Sequence, residues 1–189
     1  MRTGLKYARS CSEINKLAVY FTLRDETPSD LDAVYRVNAQ AFETNAEAEL
    51  VNLLRRREKA VISLVAEIYG KIVGHILFSP LSIEPHHKNW NALGLAPVGV
   101  IPAFQNLGIG KALVSMGLDR CRDLGIELVI VLGHPTYYPK FGFQKASDFE
   151  LANEYQADEA FMVNELIPDV LKNYEGLVKY APEFNEMDF

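Results

Sequence analysis

Residues 92–117 read ALGLAPVGVIPAFQNLGIGKALVSMG, and this stretch limits the fold more than any other. An apolar run such as 92–100 asks for burial as a strand. Pro97 inside it has no N–H to give a sheet ladder, so it marks a bulge or an edge. From about 107 to 124, Ile109, Leu113, Met116, Cys121 and Leu124 recur largely on one face of a helix. Gly108 and Gly110 therefore stand where that helix should begin, although Gly costs up to ~1 kcal/mol relative to Ala inside a helix. Either they serve a turn or something must come close to that backbone. Gly117 falls on the apolar face, as close packing of helix on sheet requires.

The rest of the chain supplies partners for this unit. Residues 19–24 and 161–166 read as strands, and 61–68 with 71–79 form a hairpin around Tyr69 and Gly70. Thr27, Pro28 and Asp30 mark a helix start, with Leu31, Val34, Tyr35 and Asn38 at helical spacing behind them. A second helix runs from Ala46, with Leu50, Leu53 and Leu54 on one face and Arg55–Arg57 at its end, where cations complement the dipole. Gly125 closes the 107–124 helix, 127–133 is a buried strand, and 143–151 reads as another beyond a helical turn near Tyr137–Phe141. The pattern predicts one α+β domain at 18–189 with a mixed sheet. Residues 1–17 read as an ordered extension, a disordered tail or an upstream start, and 168–189 carry little pattern.

A formal net charge of −6 gives no basis for a general affinity for nucleic acid or anionic membrane. No apolar run reaches the roughly 20 residues of a membrane helix. Cys11 and Cys121 are too few for a disulfide framework and lack metal-ligand spacing, which fits a cytoplasmic protein without a metal.

A strand, a glycine-bearing turn and a helix start form an anion site, because the first helical N–H groups lack internal partners. The P-loop pattern fails, since Ala112 follows Lys111 and position 105 is Gln. The dinucleotide pattern G-x-G-x-x-G fails at Leu113. The pattern that fits is Gln105-Asn106-Leu107-Gly108-Ile109-Gly110, which resembles the Q/R-x-x-G-x-G/A pyrophosphate loop of the GNAT N-acetyltransferases. The preceding APVGVIPAFQ and the later YYPKFGF at 137–143 resemble the same family, and GKIVGHILFSPLSI and GHPTYYPKFGF look closest to its YhbS-like branch.

The resemblance implies a mixed, mostly antiparallel sheet flanked by helices, in which the family's fourth and fifth strands (92–100 and 127–133 here) splay apart to hold acetyl-CoA. Pantetheine would pair with backbone near Val98, Gly99 and Val100. Pyrophosphate would rest on the amides of Gln105, Asn106, Leu107, Gly108, Ile109, Gly110 and Lys111. The Val98 and Val100 amides are also implied donors to the oxyanion of acyl transfer. Tyr138 matches the family's tyrosine and is the implied general acid toward the departing thiolate, since a phenol holds its proton at neutral pH.

Many relatives place a glutamate base on the fourth strand, but 92–100 contains no carboxylate or histidine. Glu67, Glu84, His75, His86, His87 and His134 are candidates by location, and a water relay is the alternative. Glu43, Glu47 and Glu49 border the expected acceptor site, either to attract a cationic amine or as dipole partners of a helix start. The implied reaction moves acetyl from acetyl-CoA to a small-molecule or peptide amine by direct attack in a ternary complex. A non-catalytic acyl-CoA-binding sensor is the rival, and Tyr138 argues against it. Homodimerisation through the C-terminal strands is compatible with the sequence, which does not decide it.

Overall fold

The computed structural model describes residues 5–7, 19–85 and 91–188. Its strands are β1 (Leu5–Tyr7), β2 (Phe21–Asp25), β3 (Ile62–Ile68), β4 (Lys71–Glu84), β5 (Ala92–Val100), β6 (Leu128–Leu132), β7 (Gln144–Lys145), β8 (Leu151–Asn153), β9 (Phe161–Glu165) and β10 (Gly176–Tyr180). Three α-helices accompany them among the described residues: α1 (Leu31–Ala41), α2 (Ala46–Arg56) and α3 (Ile109–Asp123). The sheet order is β1-β2-β3-β4-β5-β6-β9-β7, with β10 joining β4 to β8. Only β5–β6 and β8–β10 are parallel; the other pairs are antiparallel.

Local chemistry explains most boundaries. Tyr69 and Gly70 both take positive φ, 47° and 77°, the backbone of a two-residue hairpin turn. Thr27 N–H donates to Asp30 Oδ2 at 2.8 Å, and Arg24 clamps the same carboxylate at 2.6 and 2.9 Å. The clamp holds Asp30 well below the usual carboxylate range, and a short 3-10 turn at Pro28–Asp30 leads into α1.

Both faces of the sheet centre are covered, so β3 is apolar almost throughout rather than alternating. Leu64 and Ala66 join Ile76, Phe78 and the buried side of α3, while Val65 and Leu77 pack with Val34 of α1 and Leu50, Val51 and Leu54 of α2. The buried face of α3 is Ile109, Leu113, Val114, Gly117, Leu118 and Cys121. Leu124, expected on that face, is exposed, and Met116 is half-buried. Leu124 caps the helix rather than lying in it, and Gly117 lets α3 approach the sheet, since a Cβ there would collide with the Phe78 ring.

One expectation needs correction. The strand expected at 143–151 is interrupted by a 3-10 turn at Ala146–Phe149, after which Glu150 takes φ 60°. That reversal carries Leu151–Asn153 off the main path to pair with β10. The arginine run ends α2 as expected and also makes ion pairs. Arg55 pairs with Glu26, and Arg57 reaches Glu186 at 2.5 Å and Glu183 at 3.3 Å. The C-terminal segment, unreadable in sequence, supplies β10 and the two carboxylates that Arg57 reaches.

Candidate active site

β5 follows β4 from Leu93 to its end but pairs with β6 only at Ala92, Leu93 and Gly94. From Leu95 onward the two parallel strands part, which is the expected splay. A bulge sits at this point. Ile76 faces Val98 and Phe78 faces Leu95, so Ala96 and Pro97 stand against the single residue Leu77. Such an extra residue bends a strand and breaks its ladder, and a residue without N–H loses least there. Beyond it, Ile101 N–H donates to Val73 O at 3.0 Å. Strand alternation then turns the N–H and C=O of Val100 and Val98 away from β4, toward the gap.

The gap belongs to a cavity of about 1030 Å³. Of the predicted residues, Val98, Val100, Gln105, Asn106, Gly108, Ile109, Gly110, Lys111 and Tyr138 line it, and Gly99 and Leu107 do not. Gly99 lies on the other face of β5, where a Cβ would meet Ala41, Asn38 and Phe42. Leu107 points outward and is 38% exposed.

The loop works through its backbone. Asn106 and Gly108 take φ 61° and 86°, and Gly108 caps α3. A Cβ at Gly108 would meet nothing within 4 Å, so the approach to the helix start is open. Gly110 differs: its Cβ would lie 3.2 Å from Tyr137 Oη. The Gln105 side chain donates to Val100 O at 3.0 Å and ties the loop to the end of β5.

Tyr138 is 6% exposed and packs edge-on to Tyr137 and Phe143, at 5.1 and 5.5 Å between ring centroids. Gly133 makes this possible, since a Cβ there would overlap the Tyr138 ring. Burial, and then the neighbouring Tyr137, push the Tyr138 hydroxyl well above the usual phenol range. Lys140 Nζ lies 3.5 Å from the centre of the Tyr137 ring, a cation–π contact on the same wall.

The candidate bases separate clearly. His134 lines the cavity. His75 is wholly buried between Asn38 and Ser63, at 3.1 and 3.0 Å, and is a core residue. Glu67 pairs with Arg24 at 3.1 Å and Glu84 with Lys179 at 2.9 Å, neither lining the cavity. His86 and His87 lie outside the described residues. Of the three helix-start glutamates, Glu49 accepts from Tyr35 Oη at 2.7 Å, whereas Glu47 lines the cavity.

Sequence reasoning missed the far wall: Tyr155, Tyr180 and Phe184, with ring centroids 6.1 and 4.8 Å apart in sequence order. Tyr180 fills the space beside Gly94, where a Cβ would overlap its ring. The signal available was Gly94 itself, a side-chain-free position at the last point of β5–β6 pairing.

Known proteins share this arrangement. The profile described as "Acetyltransferase (GNAT) domain" matches residues 22–146. The uncharacterised N-acetyltransferase YhbS of Escherichia coli (strain K12) is 34% identical over 165 residues, 86% of this chain and 98% of that protein. The structure of Escherichia coli YhbS in complex with CoA matches with a TM-score of 0.84 at 31% identity, covering 92% of this chain and 96% of that one. A GNAT family acetyltransferase from Brucella melitensis in complex with acetyl-CoA gives 0.73 at 32% identity, over 87% and 97% of the two chains. With the splayed strands, the glycine loop and the helix start all inside the matched region, the chain belongs to the GNAT acetyltransferase family.

Proposed function

We propose that this chain moves an acetyl group from acetyl-CoA to an amine by direct attack in a ternary complex, through a domain spanning 18–189. The observation that carries the reading is the gap between β5 and β6, which presents unpaired strand backbone and leads to an open helix start. The residues present fit such a cosubstrate. Val98 offers N–H and C=O groups and Val100 an N–H to amide-containing pantetheine, the Val100 carbonyl being held by Gln105. The N–H groups of Ile109, Gly110 and Lys111 carry the positive end of the α3 dipole, which favours a pyrophosphate. Lys111 and Lys140 on the same cavity wall add positive charge. When bound, acetyl-CoA supplies an acetyl group activated as a thioester.

The protein's own residues then manage position and protons. Tyr138, dry and far from ionising, keeps its hydroxyl proton at neutral pH and can give it to a departing thiolate. The amides facing the gap are fixed donors for the negative charge that grows on the acyl oxygen.

Calorimetric titration with acetyl-CoA tests the placement. Gly108→Glu sets a carboxylate at the helix start and should weaken binding at least ~10-fold, about 1.4 kcal/mol. Tyr138→Phe should bind normally yet lose ~10²-fold or more in CoA release, the usual weight of a general acid. Unchanged affinity in the first variant, or full turnover in the second, removes the corresponding role.

A further inference from the structure

Glu47 Oε2 is buried and has no hydrogen-bond partner among the described residues, although the side chain lines the cavity. An acceptor oxygen left so costs about 1–3 kcal/mol, more when charged, unless something outside the chain satisfies it. Glu43 does not reach the cavity, and Glu49 is taken by Tyr35. No Lys or Arg forms an ion pair with Glu47 among the described residues. The lining cations Lys111 and Lys140 belong to the loop and the Tyr137 ring. The cavity lining also includes the apolar and aromatic side chains Phe42, Leu50, Tyr155, Tyr180 and Phe184.

We infer that the acetyl acceptor is a primary alkylammonium with an apolar or aromatic body and no carboxylate beside its nitrogen, held and deprotonated by Glu47. This rests on the acetyl-transfer reading above. A lone carboxylate in a cavity that also carries aromatic rings selects a cation, by a charge-assisted hydrogen bond and by cation–π attraction. Like charge repels a substrate carboxylate brought to the same oxygen. Burial raises the Glu47 carboxyl above its ordinary value, against a smaller opposing effect of its own backbone amide. That makes it a better proton acceptor than an exposed glutamate.

The step balances. R–NH3+ gives one proton to Glu47, and the freed nitrogen lone pair forms the C–N bond as the C–S bond breaks. Tyr138 gives its hydroxyl proton to the leaving sulfur, and the second nitrogen proton restores Tyr138. The products are the amide, the thiol and one proton on Glu47 that passes to solvent.

The test pairs an acceptor series with Glu47→Gln. CoA release should be measured with 2-phenylethylamine, hexylamine, phenylalaninamide and phenylalanine, and 2-phenylethylamine binding followed by calorimetry in the presence of CoA. The first three amines should exceed phenylalanine at least 10-fold in kcat/KM. Glu47→Gln should lose 10²-fold or more in kcat/KM and at least 10-fold in amine affinity, with acetyl-CoA affinity unchanged. Its rate should climb with pH up to the amine pKa, in place of the wild-type plateau set by Glu47 on the acid side. Preference for phenylalanine, a variant within threefold of wild type, or no turnover and no heat with any amine would each overturn the inference. Loss of acetyl-CoA binding in the wild-type protein would instead strike the cosubstrate reading, so the two failures are distinct.

Discussion

Asn38 donates one amide hydrogen to Val34 O at 2.9 Å and the other to His75 Nδ1 at 3.1 Å. His75 must then carry its own proton on Nε2, which donates to Ser63 Oγ, while Ser63 donates to Glu26, itself paired with Arg55. The arrangement has the residue types of a hydrolase triad, yet His75 is inaccessible and serves the core. Burial first, and then the Arg55 charge, lower its pKa to about 3. The unfolded chain takes a proton near pH 6.5 and the folded one does not, so stability is complete above that value and falls as pH drops toward 3. Urea unfolding between pH 7 and 4.5 should show this loss, with a limiting slope from this group of about 1.4 kcal/mol per pH unit. His75→Gln should flatten the dependence, and a His75 ring resonance titrating near 6.5 would refute it. Glu47 belongs to the same scale. Residues two apart lie on opposite sides of a helix, so Glu47 and Glu49 meet different surroundings despite equal propensity.

At the scale of elements, α3 shows two uses of glycine in one segment. Gly108 opens the helix start and, with Gly110 making room for Tyr137, lets two elements share one wall of the cavity. Gly117 lets the helix approach β4 over Phe78. Gly117→Ala should therefore destabilise by about 1–2 kcal/mol in urea unfolding, because overpacking outweighs the ~1 kcal/mol gain in helix propensity. An alanine variant as stable as wild type would mean that Phe78 moves freely. The strand–loop–helix element was legible because its signals are local: Pro97 cannot pair, Gly108 takes a backbone few residues tolerate, and the apolar repeat follows a fixed period. The face of α3 was legible at Ile109, Leu113, Gly117 and Cys121, and failed at Leu124 because the helix ends one residue before it.

Across the whole molecule, the C-terminal segment closes the fold and the site together. Glu183, 1% exposed, receives Lys59 at 2.9 Å and Arg57 at 3.3 Å from the far end of α2. Phe184, its neighbour, lies against Tyr180 in the cavity wall. Glu183→Ala removes the ion-pair partner of Lys59 and leaves Arg57 with Glu186, and should cost about 2 kcal/mol, below the full penalty for a buried pair because both cations retain access to water. It should also raise KM for the amine while leaving acetyl-CoA affinity unchanged, readable by parallel calorimetry and CoA-release assays. Unaltered stability and KM would separate the tail from the site.

The sequence by itself determined the sheet-and-helix alternation and the glycine turn that starts α3, because neighbouring residues write those features into backbone preference and spacing, while Gln105 and Tyr138 were reached through the family resemblance. Only the tertiary structure decided that Gly99 faces α1, that His75 is core, and that Glu47, Tyr155, Tyr180 and Phe184 meet in one cavity. Those facts depend on burial and on contacts between separate segments, from a dozen to more than a hundred residues apart, whose free energy no local pattern encodes.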